Sequence, residues 1–433
     1  MKKTSAPSKN KERLKIFVSA YACEPHLGSE IGVGWHWVLE MSKYFELWVL
    51  TRESNRHTIE PWIKKHPEYN HIHWLYFDLP QWTRWWKKGL RGVRTYYNIW
   101  QYATNHIVRK TMQENHIQIF HHLTYGNALW KISKYGQKQF FVWGPIGGLE
   151  TIPKEFSCHY DWKSRLIETI RRLTVRISPY NRGLKYRCKH ADFILCKTDI
   201  TRNALPLPDR EKTVLFTDVA TELLPTAQET KNNTTPSATE FICVGRLDAW
   251  RGFDLAIEAL AEASTINENI HLTIVGDGSD KKRLFSLIRR FGLQEKVKMA
   301  GKVSREEYLR LMDEADVVVN ASLKEGAVTV SFDAMSMGKP LICLDTTGYT
   351  RHFSNKYAHV IPCHKRKDVI ACIKDSMLQL TDSELRRRMG QEALSAAQKL
   401  SWEQHGKDIR DAILTAYQKR TSPDDIPASA TNS

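Results

Sequence analysis

The chain has 433 residues, of which 42% are apolar and 26% are charged, and it carries a net charge of +16. These values exclude a fibrous or wholly disordered protein, and the length predicts two domains of ordinary size. No stretch reaches the roughly 18 consecutive apolar residues of a membrane span, while the charge predicts an anionic partner such as nucleotide phosphate, an anionic membrane surface or nucleic acid.

The chain begins with a polar, basic segment, residues 1–12, which we expect to be disordered. The apolar run Leu14–Ala20 mimics a secretion signal but is too short for one, so we interpret it as the first core strand. Apolar segments at 46–52 and 71–77 alternate with helical periodicity, which predicts a parallel sheet. The eight cysteines include no C-x-x-C pair, which favours reduced thiols in a cytoplasmic protein.

A glycine-rich loop joins the first strand to the first helix. Its glycines do not follow the G-x-G-x-x-G spacing of a dinucleotide-binding loop. Two functions remain open, a turn that lets the helix pack closely on the sheet and a flexible loop that closes over a phosphate or an acceptor. The residues that such a cleft loop would present are Gly28, Ser29, Glu30 and Gly32.

The composition changes between Leu79 and Gln113, where lysine and arginine occur without any acidic residue. Tryptophan and tyrosine alternate with these cations, which is typical of a surface that contacts anionic lipid. The alternatives are a helix pair whose aromatic rings are core residues and a stacking surface for single-stranded nucleic acid, which no recognised nucleic-acid module supports. The residues assigned to the membrane surface are Trp85, Trp86, Lys87, Lys88, Arg91 and Arg94.

Two histidines, His121 and His122, follow the predicted strand at 117–120. Parallel sheets bind ligands at the carboxyl ends of their strands, so this pair is a candidate for contact with a ligand. A single histidine is more often structural, and no acid or cysteine lies nearby at ligand spacing. The pair therefore predicts no metal site.

A second basic stretch, residues 163–190, contains nine lysines and arginines and one acid, Glu168. Helical periodicity places apolar residues 166, 170, 173 and 177 on one face of a helix. The other face carries Arg171, Arg172 and Arg176. The pattern leaves open whether this helix contacts a membrane or is merely solvated.

The polar, aperiodic segment 222–239 predicts a linker between two domains. The second domain opens with a strand that is followed by Arg246 and Arg251, ahead of a helix. Two cations in such a loop suit a diphosphate, because the arginine side chain binds phosphate oxygens with a fork of donors. The alternative is a pair of surface salt bridges.

The stretch 317–344 predicts a buried strand, a tight loop, a short helix and another strand. Glu325 lies in the loop and Asp333 lies on the helix eight residues later. Two carboxylates at a ligand-binding edge can accept hydrogen bonds from sugar hydroxyls. Backbone N–H groups near Gly326 and Ala327 can hold a phosphate. The alternative is a solvated loop acid and a helix-surface acid.

This stretch resembles the two-carboxylate motif of the retaining glycosyltransferases of family 4, in which seven residues separate two glutamates. Asp333 replaces the second glutamate, and Arg251 with Gly252 replaces a Lys-Gly pair. The Gly-Ser-Glu run at 28–30 and the Gly-Arg-Leu run at 245–247 resemble other parts of that family, so the resemblance covers most of the chain. It implies an α/β protein of the GT-B fold, with two Rossmann-like domains whose parallel sheets face a central cleft.

The resemblance also implies roles for individual residues. Arg246 and Arg251 would stabilise the diphosphate, Glu325 would hold the donor sugar, and Asp333 would hold the ribose. His121 or His122 would position the acceptor and the sugar. Further donor contacts would come from Gly245, Lys302, Val303, Gly326, Ala327 and Val328.

We therefore expect a retaining transfer of sugar from a nucleotide diphosphate sugar to a glycan or lipid-linked acceptor, in cell-surface polysaccharide assembly. We expect no metal, because the D-x-D triad of metal-dependent sugar transferases is absent, and no cofactor besides the donor. Nucleic acid is not an expected partner, and the expected location is the cytoplasm or the cytoplasmic face of a membrane. The rival functions are a nicotinamide-dependent oxidoreductase and a nucleic-acid-binding protein. The chain lacks the full glycine motif that the first of these would carry.

The expected domain organisation has six parts. They are a basic tail (1–12), an N-terminal Rossmann-like acceptor domain (13–221), a linker (222–239), a C-terminal Rossmann-like nucleotide-sugar domain (240–398), a helix that returns to the N-terminal domain (399–419) and a disordered tail (420–433).

Overall fold

The computed structural model describes residues 13–26, 28–86, 92–136, 138–207, 210–222, 238–324, 329–346, 348, 350 and 353–421. Within these ranges the chain forms two parallel β-sheets with helices packed against them. One sheet is built from the N-terminal half of the chain and the other from the C-terminal half, and we call these halves the N-domain and the C-domain.

The N-domain sheet has the strand order β3-β2-β1-β4-β5-β6-β7, and its strands pair in parallel. The central strands are apolar and buried on both faces, as expected where helices cover a parallel sheet on both sides. The strands are β1 (Lys15–Ser19), β2 (Glu46–Arg52), β3 (His73–Phe77), β4 (Ile119–His122), β5 (Phe140–Ile146), β6 (Phe193–Cys196) and β7 (Thr213–Leu215).

The helices of the N-domain are α1 (Ser29–Ser42), α2 (Arg56–Lys65), α3 (Val93–Ala103), α4 (Asn105–Glu114), α5 (Lys154–Ser157), α6 (Trp162–Ile177), α7 (Arg182–His190) and α8 (Asp199–Ala204). The first of them packs unusually close to the sheet, because a Cβ added at Gly34 would overlap the carbonyl group of Ala22. A glycine at this position therefore sets how near α1 lies to the carboxyl end of β1.

The C-domain sheet has the strand order β10-β9-β8-β11-β12-β13, and its strands also pair in parallel. Both sheets contain the doubly wound strand order 3-2-1-4-5-6. The sequence of strands across the sheet changes direction between β1 and β4 in the N-domain and between β8 and β11 in the C-domain. The strands are β8 (Thr239–Val244), β9 (Ile270–Val275), β10 (Val297–Gly301), β11 (Val317–Asn320), β12 (Leu341–Leu344) and β13 (Ala358–Ile361).

The remaining helices are α9 (Phe253–Ser264), α10 (Lys281–Arg290), α11 (Arg305–Glu314), α12 (Thr329–Ser336), α13 (Arg366–Gln379), α14 (Ser383–Lys399) and α15 (Trp402–Thr421). The last helix returns to the N-domain, where Trp402, Ile409 and Ile413 are buried in the same core cluster as the α1 side chains. The predicted class, an α/β protein with two parallel Rossmann-like sheets, is confirmed.

A short N-domain segment fastens the two domains together. Ile152, Phe156 and Tyr160 are buried among the side chains of the C-domain core rather than of their own sheet. The neighbouring Glu155 carboxylate accepts a hydrogen bond from the backbone N–H of Arg366 at 2.9 Å. The carboxyl ends of both sheets consequently face one interdomain cleft.

This packing predicts that Phe156→Ala lowers the free energy of unfolding by about 3 to 5 kcal/mol, because it removes a fully buried ring at the domain contact. Chemical denaturation followed by circular dichroism measures the change. The matched control is Trp162→Ala, a few residues along the chain, whose side chain is exposed and whose removal should change the value by less than about 0.5 kcal/mol. Equal effects of the two substitutions would contradict the assignment of Phe156 as an anchor.

Candidate active site

The second carboxylate of the predicted pair, Asp333, lies buried on α12. Its Oδ2 atom accepts hydrogen bonds from Arg305 Nη1 at 2.9 Å and from the Tyr308 hydroxyl at 2.8 Å. Both donors belong to α11, so the carboxylate joins the two helices. Burial, followed by the charge of Asp333, raises the pKa of Tyr308, which therefore stays protonated and donates this hydrogen bond.

Asp333 opens onto a cavity of about 510 Å³ between the domains. The C-domain contributes Arg305 and Thr329 to its wall, and the N-domain contributes the loop before α1 and the first turns of that helix. Gly28 and Gly32 line this side of the cavity, as the prediction of a cleft loop requires, while Ser29 begins α1. The arrangement brings a buried carboxylate and a glycine-lined helix start to opposite walls of one cleft.

The two predicted phosphate ligands lie at the carboxyl end of β8 but face different partners. Arg246 is exposed and pairs with Asp248, with N···O distances of 2.7 and 2.6 Å. The Arg251 guanidinium stacks on the Trp250 ring, 4.4 Å from its centroid. Gly252, with a positive φ of 68°, directly follows Arg251 and closely approaches the Ala321 carbonyl group. Because Arg246 already pairs with Asp248, an anion that binds Arg246 must compete with the Asp248 carboxylate.

The remaining predicted donor contacts divide into two groups. Gly245 has a φ of 154° in the turn after β8, Lys302 is exposed, and Val303 packs against the C-domain core. The other predicted contacts lie outside the described residues, and they are Glu325, Gly326, Ala327 and Val328.

Lys324 directly precedes residues 325–328, the predicted donor loop, and was not among the residues predicted for the site. Its ammonium group forms an ion pair with Glu168 of α6 and lies 5.4 Å from the centroid of the Trp250 ring. Burial lowers the pKa of Lys324 to about 8, and the nearby Arg171 acts in the same direction, against the Glu168 charge. The start of the predicted donor loop is thus tied to a helix of the opposite domain.

The two predicted histidines are buried inside the N-domain. The structure places them within β4, whose start lies two residues later than the predicted strand at 117–120. His121 Nε2 lies 2.7 Å from the Gly144 carbonyl oxygen, and His122 Nε2 lies 3.0 Å from the Tyr97 hydroxyl. Burial lowers their pKa values to about 4 and about 3. Neither ring lines the interdomain cavity, and both are neutral at physiological pH.

A polar pocket of about 210 Å³ lies at the carboxyl end of the N-domain sheet. Glu30 lines it and accepts a hydrogen bond from the Tyr125 backbone N–H at 2.6 Å. Burial raises the pKa of Glu30, and the Lys197 charge opposes that change. For Lys197, burial opposes the charged form, but Asp218 and Glu30 raise its pKa to about 12. The pocket wall therefore includes the Glu30 carboxyl group and the Lys197 ammonium group.

Glu150 completes the wall of this polar pocket. Its carboxylate accepts hydrogen bonds from the Thr198 and Thr201 hydroxyls at 2.7 and 2.6 Å and from the Gly148 backbone N–H at 2.7 Å. These bonds outweigh burial, so the pKa of Glu150 is lowered and the group is a fixed carboxylate. Lys197 and Glu150 were both missed, although each follows a strand at the edge where ligands bind.

The predicted membrane-facing residues that the structure describes differ in their exposure and contacts. Trp85 is 77% exposed, whereas Trp86 packs against the N-domain core. The Arg94 guanidinium lies over the Trp130 ring, 5.8 Å from its centroid. Lys87, Lys88 and Arg91 lie outside the described residues. Three adjoining rings of α3 are core residues, as the alternative interpretation held, and they are Tyr96, Tyr97 and Trp100, whereas Tyr102 of the same helix is exposed.

The described ranges also bear on metal binding and on membrane crossing. No cluster there brings together three or more histidine, cysteine or acidic side chains that could hold a metal ion. None of the helices in those ranges combines the length and the apolar character that crossing a membrane requires.

The arrangement of the two sheets is shared with solved structures of other proteins. The crystal structure of HepE from Anabaena, in complex with UDP and glucose, superimposes with a TM-score of 0.57 and covers 93% of this chain and 100% of its own, at 16% identity. WaaG, a glycosyltransferase involved in lipopolysaccharide biosynthesis, gives a TM-score of 0.56 at 15% identity and covers 92% of this chain and 99% of its own. The protein therefore has the GT-B fold.

The sequence itself carries a more particular signature in the C-domain. Residues 226–395 match the family Glycosyl transferases group 1, so the chain contains a domain of that family. A curated relative, alpha-D-kanosaminyltransferase from Streptomyces kanamyceticus, is 29% identical over 150 residues, which span 35% of this chain and 38% of that enzyme. The chain spans less than two thirds of the length of the first curated relatives that it matches.

The buried histidines predict a loss of stability in mild acid. His121, His122 and His405 have folded-state pKa values of about 4, about 3 and about 4, below the ordinary value near 6.5. The unfolded chain takes up these protons as the pH falls through about 6.5, while the folded chain does not, so stability present above pH 6.5 is lost toward pH 4. Each proton contributes about 1.4 kcal/mol per pH unit.

Urea unfolding at a series of pH values between 6.5 and 4.5 measures this slope. His405→Gln, which keeps a donor for the Thr217 carbonyl oxygen, should reduce the slope by about one proton's contribution. The control is His57→Gln at an exposed position. Identical slopes in the wild type and in both variants would show that the buried imidazoles do not titrate as described.

Proposed function

We propose that the protein transfers a sugar from a nucleotide diphosphate sugar to a glycan or lipid-linked acceptor, with retention of configuration at the anomeric carbon. The observation that carries this proposal is the placement of Asp333, a buried carboxylate of a group 1 domain, on the wall of a cleft opposite a glycine-rich loop. The kanosaminyltransferase and WaaG, which are named as sugar-transferring enzymes, support the same class of reaction.

The donor would lie on the C-domain. Both hydrogen bonds that the described residues donate to the Asp333 carboxylate use Oδ2, so Oδ1 can accept a hydrogen bond from a ribose hydroxyl. Arg246 and Arg251, at the carboxyl end of β8, would bind the diphosphate. The resemblance adds Glu325 as the group that holds the sugar hydroxyls. HepE, whose structure contains UDP and glucose, supports a donor of this chemistry.

The reaction breaks the bond between the anomeric carbon and the diphosphate oxygen and forms a bond from the same carbon to an acceptor oxygen. Negative charge grows on the departing diphosphate, and the two arginines would stabilise it. The acceptor hydroxyl would pass its proton to a leaving phosphate oxygen on the same face of the sugar, which accounts for retention. Closure of the two domains would exclude water and limit hydrolysis of the donor.

The acceptor would lie on the N-domain, in the polar pocket beside the cleft. Its carboxylates, Glu30 and Glu150, can accept hydrogen bonds from sugar hydroxyls, and the Trp130 ring offers a flat apolar face. The buried histidines would act through the strand that positions this pocket rather than by contact with a ligand. We place the reaction in the cytoplasm, where nucleotide sugars and reduced cysteines occur. We also place it in cell-surface polysaccharide assembly, which the similarity to WaaG, a glycosyltransferase involved in lipopolysaccharide biosynthesis, supports.

A thermal-shift panel of UDP, GDP, ADP and TDP tests donor binding. A ligand that binds only the folded protein at about 100 times its Kd stabilises it by about 2.7 kcal/mol, so one nucleotide should raise the melting temperature. Asp333→Asn and Arg246→Ala should each raise the apparent Kd of that nucleotide by about 10-fold, so the shift at a given concentration should be smaller. The controls are the exposed positions Glu295→Gln and Arg289→Ala. The proposal fails if no nucleotide shifts the wild type.

Proton NMR of the product tests retention. Once the donor is known from the panel, the anomeric coupling constant of the transferred sugar should correspond to the configuration of the donor. The spectrum is recorded early in the reaction, before any free sugar mutarotates. An inverted product would exclude the proposed same-face transfer and would leave the binding results unaffected.

A further inference from the structure

Helix α6 lies with its polar face toward the protein and its apolar face toward solvent. The only residue of the helix that is buried is Glu168. Six large apolar side chains are between half and 70% exposed, and they are Trp162, Leu166, Ile167, Ile170, Leu173 and Ile177. An amphipathic helix of a soluble domain normally buries this face, so α6 has the reverse of the expected orientation.

The orientation of α6 is fixed by bonds on its polar side. Glu168 pairs with Lys324 of the C-domain. Arg171 donates to the Glu150 carbonyl oxygen at 2.9 Å, and Arg172 donates to the Ser157 hydroxyl at 3.0 Å. These contacts lie on the side of the helix opposite the apolar residues, since successive residues are rotated by about 100°. Rolling the helix to bury its apolar face would break all three.

Most of the exposed stripe is narrow and has cations on both borders. At about 100° per residue, five of its six apolar residues fall within an arc of about 80°, and Ile167 lies about 60° farther round the helix, beyond Lys163. Lys163 lies on one border, and Arg165 and Arg176 lie on the other, all of them exposed. Because Glu168 is buried in its ion pair, no residue from 162 to 177 presents an exposed acid.

The same surface chemistry continues into the turn after α6 and into α7. Tyr180 and Tyr186 are 79% and 55% exposed. Exposed cations accompany them at Arg182, Lys185 and Lys189. Aromatic rings with a polar end, at the margin of an aliphatic stripe bordered by cations, are typical of a helix that lies in a membrane interface.

We propose that the exposed face of α6 docks onto an anionic membrane surface, with its apolar side chains inserted between the lipids and its flanking cations against the headgroups. Charge complementarity selects this occupant, since the surface presents apolar groups and positive charge but no exposed acid, and the whole chain has a net charge of +16. The helix lies in the plane of the interface and does not cross the bilayer.

The position of α6 has a consequence for the acceptor. Arg171 also reaches the Gly148 carbonyl oxygen at 3.3 Å, and both Gly148 and Glu150 line the polar pocket of the N-domain. The docking surface and that pocket therefore lie on opposite sides of one helix. If the proposed transfer is correct, this arrangement suits an acceptor sugar whose lipid carrier remains in the bilayer.

Sedimentation of the full-length protein with vesicles tests the docking surface without any substrate, so its outcome is independent of the proposed transfer. Vesicles that contain phosphatidylglycerol should bind the protein, and vesicles of phosphatidylcholine alone should bind it at least about 10-fold more weakly. The triple variant Leu166→Ser/Ile170→Ser/Leu173→Ser and the double variant Lys163→Glu/Arg176→Glu should each reduce binding to phosphatidylglycerol vesicles by about 10-fold or more. All five positions are exposed, so the melting temperature should not fall.

The matched controls replace exposed residues of the C-domain. Ile266→Ser/Phe285→Ser/Phe291→Ser controls for apolar content, and Lys282→Glu/Arg289→Glu controls for net charge. Both should bind vesicles as the wild type does. The proposal is overturned if the wild type does not bind anionic vesicles, or if the α6 variants and the controls bind equally well. It is also overturned if the serine variant changes the oligomeric state in sedimentation equilibrium, which would make the face a contact between two copies.

Discussion

The burial of Ile152, Phe156 and Tyr160 in the C-domain core determines how the two halves of the chain meet. Each such side chain contributes about 1.5 to 3 kcal/mol when it leaves water, so this contact is strong enough to hold the two domains in one relative position. The cleft follows from it, because it turns the carboxyl ends of both sheets toward each other. The contact also determines where α6 begins, because that helix starts at Trp162, directly after the anchored segment.

The polar contacts between the domains have a different role. The Lys324–Glu168 pair is buried, and removing two charges from water costs about as much as their attraction returns. Such pairs therefore specify an arrangement more than they stabilise it. Here the pair specifies which side of α6 faces the protein and where the segment after Lys324 begins. Gly348 has a related role in the same interface, because any side chain there would overlap the backbone of Lys197.

The sequence was sufficient for the fold because the relevant signals are local. Apolar runs such as 46–52 predict buried parallel strands, and the predicted and observed bounds of β2 agree.

The site was harder to predict, since a spacing rule places a residue at a strand end but does not show which way its side chain points. His121 and His122 satisfied that rule yet are buried, while Lys197 satisfied it and lines a pocket. The exposure of the apolar face of α6 depends on contacts with Lys324, more than 150 residues away, and no local pattern reports them.

A crystal structure with the nucleotide selected by binding would show whether a nucleoside diphosphate binds to the C-domain wall of the cleft. The structure that we expect has the ribose within hydrogen-bonding distance of the Asp333 carboxylate and the diphosphate against Arg246 and Arg251. A nucleotide bound away from the cleft, for example in the groove between α15 and the N-domain sheet near Lys212 and Arg420, would contradict it.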